Sequence, residues 1–202
     1  MNNRKKVFRM TAASLLIALI FLFGMTPIGL IPLGFINITV LCVPVIIGTV
    51  TLGIRTGLIL GFCFGTASTL SMIGMSLTPP SALASALFAV SPLCAVLMCY
   101  IPRILVPVVT YSVFKMISRY KKASAAALSV SAVAGSFTNT LFYLGLMLLF
   151  YAINGLDTAS ILSLIAGTGL IAGGCEAIAA ALITLPVVKA LSKTPIGSYL
   201  GG

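Results

Sequence analysis

Long apolar runs separated by short breaks fill the chain, at residues of about 8 to 25, 36 to 52, 56 to 73, 88 to 118, 123 to 151 and 159 to 191. Each is bounded by Gly, Pro or charge, and about 20 apolar residues let a helix cross the hydrocarbon core. The second run is short and the fourth over-long. Pro79, Pro80 and Pro92 predict a loop with a partial helix over 74 to 92, with the fourth span proper starting near Pro92. Arg4, Lys5, Lys6 and Arg9 ahead of the first run mimic a signal peptide. Gly24-Met25-Thr26-Pro27 lacks a small-x-small cleavage site, so a retained first helix is expected. The pattern predicts an all-α integral membrane protein, a six-transmembrane-helix bundle forming one membrane-embedded domain over residues 1 to 202.

Composition makes lipid the solvent: 60% of residues are apolar, 7% are charged and the mean hydropathy is +1.22. The net charge of +10 does not imply nucleic acid, because eleven of the twelve basic residues fall at span ends, where anionic headgroups account for them. They fall in alternate connections: 4 to 9, Arg55, 115 to 122, and Lys189 with Lys193. The connections at 26 to 35, 74 to 87 and 152 to 158 contain no Lys or Arg. The positive-inside rule then predicts a multi-pass protein of the cell membrane with both termini cytoplasmic.

Catalytic chemistry is poorly supplied. The chain has no His, and Asp157 and Glu176 are its only acidic side chains. No metal cluster or acid pair follows, and no GxxxxGK[ST] phosphate loop occurs. Neither an enzyme nor a resident cofactor or metal is expected. Cys42, Cys63, Cys94, Cys99 and Cys175 stand singly in apolar stretches and read as small core residues. Gly53, Gly57, Gly61 and Gly65 form a four-residue stripe on the third span, as do Gly169, Gly173, Ala177 and Ala181 on the sixth. Such stripes let helix backbones approach closely. Ser14 and Ala18 repeat the spacing on the first span.

Arg103 is the exception among the basic residues. It lies inside an apolar run in Ile101-Pro102-Arg103-Ile104-Leu105-Val106-Pro107. A charge at mid-bilayer costs about 2.5 to 3.5 kcal/mol, so such a residue faces a cavity, a counter-ion or a ligand. Glu176 lies at a similar depth on the sixth span, which leaves two readings open: a structural ion pair, or a joint site. Asn139, in Ser136-Phe137-Thr138-Asn139-Thr140, adds an amide that donates and accepts. Arg103 and Asn139, joined by Asn37, Tyr143, Phe64 and Glu176, are the candidate lining of an outward-opening pocket for a small carboxylate. A guanidinium supplies the matching fork.

Three stretches resemble the substrate-binding S components of energy-coupling factor (ECF) vitamin transporters. They are Thr26-Pro27-Ile28-Gly29-Leu30-Ile31-Pro32 through Val43-Pro44-Val45, the glycine-rich Gly57 to Ser68, and Pro102-Arg103 with Gly135 to Thr140 and Gly174-Cys175-Glu176-Ala177. The likeness runs from about residue 10 to 190, and Arg103 with Asn139 most resembles pantothenate-type members, where the matching positions contact the ligand. The resemblance implies a subunit that captures a vitamin from outside, topples in the bilayer and releases it inward on docking. Its partners would be a transmembrane coupling protein and two ATPase subunits. The family's Ala-x-x-x-Ala docking pattern on the first helix is replaced here by Ser14 and Ala18. Alternatives are an S component for a cobalamin, folate, flavin or pyridoxine-class vitamin, a stand-alone ion-coupled secondary transporter, and an assembly protein without a ligand.

Overall fold

The computed structural model of the chain describes residues 3–27, 29–32, 37–120, 125–164 and 170–193. Apolar sequence far in excess of polar gives helices throughout, because in lipid a helix satisfies its own backbone groups. The elements are α1 (Asn3–Met25), β1 (Leu30–Pro32), β2 (Asn37–Thr39), α2 (Cys42–Leu52), α3 (Ile54–Met72), α4 (Ala82–Val90), α5 (Pro92–Tyr120), α6 (Ala125–Ile153), α7 (Thr158–Leu164) and α8 (Leu170–Lys193). Four stretches, Asn3–Met25, Pro92–Arg119, Ala125–Ile153 and Gly173–Ala190, are long and apolar enough to cross a bilayer.

One expectation is corrected. The run from 36 to 52 is not one helix. Asn37–Thr39 pairs antiparallel with Leu30–Pro32, Ile38 opposite Ile31, and the helix starts only at Cys42. The β-branched Ile38 and Thr39 suit a strand, and Pro44 is tolerated in the first turn of the helix that follows. The 11 residues of α2 rise about 16 Å, too short to cross ~30 Å of hydrocarbon. The last run is helical over Thr158–Leu164 and Leu170–Lys193, and Gly169 of the expected stripe lies outside the described residues. The break before Pro92 falls as expected: α4 ends at Val90 and α5 begins at Pro92.

α2 is the hub. Ten of its residues are buried, and it touches α1, α3, α5, α6 and α8. One apolar cluster surrounds it, with Val45, Ile46, Leu60, Phe64, Val106 and Ala132 at its centre. A second joins α4, α5 and α6 through Leu87, Met98, Met147 and Tyr151. Gly53, with φ of 92°, turns the chain from α2 into α3, a conformation that glycine adopts without a steric penalty. Gly53 therefore belongs to the turn, and the stripe on α3 begins at Gly57. At the start of α1, Arg9 donates to the carbonyl of Leu52. α3 and α5 run antiparallel, so the basic residues at the starts of α1 and α3 and the end of α5 gather at one end of the bundle.

Candidate functional site

The two prolines around Arg103 set its local chemistry. Pro102 has no N–H, so the carbonyl of Met98, one turn earlier, loses its helical donor. Arg103 supplies the replacement: its Nη1 donates to Met98 O at 3.2 Å. Pro107 in the same way frees the carbonyl of Arg103. A Cβ built at Gly61 would lie 2.5 Å from that oxygen, so only glycine lets α3 approach this closely. The stripe on α3 continues along α5, with Gly57 against Pro107 and Gly65 against the ring of Tyr100.

That approach brings Phe64 to the guanidinium. The ζ carbon of Arg103 lies 5.2 Å from the centroid of Phe64 and 4.5 Å from that of Tyr143, cation–π distances on two separate elements. Arg103 is 6% exposed, and its Nε has no hydrogen-bond partner. Among the described residues no carboxylate forms an ion pair with it. The cation therefore sits in an aromatic slot with donor capacity to spare.

Asn139 precedes Tyr143 by one helical turn and shares its face of α6. One turn earlier again, Gly135 abuts the hydroxyl of Thr110 on α5. Asn139 lies between those two contacts, opposite α5, 3% exposed and with its Oδ1 unpartnered. Phe64, Arg103, Tyr143 and Asn139 thus come together on α3, α5 and α6.

Glu176 is engaged elsewhere. Its Oε1 accepts the main-chain N–H of Thr39 at 2.7 Å, and its Oε2 accepts the hydroxyl of Thr140 at 2.8 Å. These donors, rather than Arg103, hold the carboxylate, and the structural ion pair is not formed. Beside it lies a cavity of about 170 Å³ between β2, α2 and α8, walled by Val40, Cys42, Val43, Ala179 and Ala180. Asn37 starts β2 opposite Pro32, and its side chain lies outside the described part of the structure. Ser14 and Ala18 are exposed on one face of α1, whose buried residues are Ile20 and Gly24.

Thr39, Thr140 and Met98 were not singled out in the sequence. Thr140 carried a usable signal, since a carboxylate within a span needs donors and the hydroxyl adjoins Asn139. Thr39 and Met98 act through the main chain, for which side-chain identity gives no sign.

The apolar helices and the buried cation define a multi-pass membrane protein with a polar centre. Residues 8–188 match the family model described as the ECF transporter, substrate-specific component, and the chain belongs to that family. It is similar to the pantothenic acid transporter PanT of Lactococcus lactis subsp. cremoris (strain MG1363), with 33% identity over 162 residues, 77% of this chain and 78% of that protein.

Proposed function

We propose that this chain is the pantothenate-binding subunit of an ATP-driven ECF importer, with six spans and both termini in the cytoplasm. Four helices meet the length and apolarity a span needs; α3, and α2 extended by the hairpin ahead of it, are proposed as the other two crossings. The observation that carries the reading is Arg103: a buried guanidinium that forms no ion pair among the described residues, with its ζ carbon near the rings of Phe64 and Tyr143 inside an apolar bundle. An anionic ligand is the partner that makes such a placement favourable. Pantothenate has one carboxylate, one amide and two hydroxyls. Arg103 takes the carboxylate, Asn139 Oδ1 accepts from the amide or a hydroxyl, and Phe64 and Tyr143 enclose the aliphatic portion. The similarity to a pantothenic acid transporter supports this choice of vitamin.

Delivery follows from family membership. Family membership supports energy supplied by a coupling protein and two ATPase subunits, docked through the α1 face that bears Ser14 and Ala18. Calorimetric titration of the purified chain in detergent tests the binding site. Wild-type protein binds pantothenate, and Arg103→Ala weakens affinity by at least about 2 kcal/mol, roughly 30-fold, because a desolvated charge partner is lost. The variant remains folded by thermal unfolding. Unchanged affinity in Arg103→Ala rejects the assignment.

A further inference from the structure

Three parts of the chain that are remote in sequence meet at one carboxylate. Thr39 ends β2 and stands just ahead of α2, Thr140 lies midway along α6, and Glu176 lies on α8. The hydrogen bonds from Thr39 N–H and from the Thr140 hydroxyl use one Glu176 oxygen each. The β1–β2 hairpin is a two-stranded sheet of three residues a side. A sheet of that size is at best marginally stable alone, so its attachment decides where it rests. Within the turn, Val40 N–H bonds to Gly29 O at 3.0 Å and Leu41 N–H to Thr39 Oγ1 at 3.2 Å, both internal to the segment. The attachment to α6 and α8 runs through Glu176. Its acceptor is well sited, because charge-assisted bonds are the strong ones and an anion near the start of α2 meets the positive end of that helix.

We propose that Glu176 is a positioning residue whose carboxylate clasps the end of β2 to α6 and α8, fixing the wall of the cavity between α2 and α8. The clasp is a property of the protein without ligand. Only its effect on ligand kinetics rests on the pantothenate reading.

Hydrogen–deuterium exchange read by mass spectrometry on the full chain in detergent, without ligand, tests the clasp. In Glu176→Ala, amides in the peptide covering 37 to 41 exchange at least about 10-fold faster, as expected for loss of a hydrogen bond to a charged group. Peptides from α5 around Arg103 keep the wild-type rate. Glu176→Gln retains an oxygen for Thr39 N–H and returns exchange to within about 3-fold of wild type. Unchanged exchange at 37 to 41 in Glu176→Ala overturns the proposal, and so does a rise shared equally by α5. If Glu176→Ala does not fold, Thr140→Val removes one arm with little change in shape: faster exchange at 37 to 41 supports the clasp, and no change overturns it. A second readout is dissociation of radiolabelled pantothenate, which Glu176→Ala accelerates more than it alters association. A chain that exchanges as described but binds no pantothenate refutes the vitamin assignment and leaves the clasp standing.

Discussion

A guanidinium inside a bilayer is held by what covers its flat faces and what accepts from its edge. Arg103 has the Phe64 and Tyr143 rings near its ζ carbon and, among the described residues, the carbonyl of Met98 as acceptor. Its planar shape matters on both counts. An ammonium at the same site keeps the charge and loses the fork and the stacking surface. Arg103→Lys therefore weakens pantothenate binding by about 10-fold or more, read by the same titration, with the folded fraction unaltered. Part of this was legible in the sequence. A lone cation between prolines in an apolar run is conspicuous, and Asn139 stands out for its amide. The mechanism behind the spacing was not, since which carbonyls Pro102 and Pro107 release becomes visible only once the helix is continuous through both.

At the scale of elements, α3 and α5 touch through glycines, and the contact positions Phe64 over Arg103. Gly61→Ala places a methyl group against the Arg103 carbonyl, a main-chain atom that cannot rotate away. Overpacking of this kind costs about 1 to 3 kcal/mol. We expect the melting temperature in detergent to fall and pantothenate affinity to fall with it, as Phe64 moves off the cation; Gly145→Ala, on open surface, alters neither. The stripe from Gly57 to Gly65 announced this contact, because small residues every four positions have few other uses in lipid. The hairpin and the shortness of α2 were hidden for a physical reason. Strands of three residues are too short for an alternating pattern to show, and their sequence runs directly into that of α2, so periodicity does not divide them.

For the molecule as a whole, binding and transport should separate. Reconstituted alone in vesicles, the chain is expected to bind pantothenate at a stoichiometry of about one and to accumulate none against a gradient, whatever ion gradient is imposed. Adding the coupling protein, the ATPases and ATP restores net uptake. Filtration of vesicles loaded with labelled vitamin checks both arms. Accumulation by the chain alone, driven by protons or sodium, favours a self-sufficient carrier instead. Charge points the same way, because the basic residues at the starts of α1 and α3 and the end of α5 gather at one end and so orient the bundle as a unit.

α2 is shielded from lipid by its neighbours and held near both tips, by Arg9 at Leu52 and by Glu176 at Thr39. Changes in bilayer thickness act on helices that touch acyl chains, which tilt to match. The outer helices can therefore lean while this inner rod keeps its length and its sequence of neighbours. It serves as an axle: the cell can vary its lipids without retuning the segment about which the other helices pack.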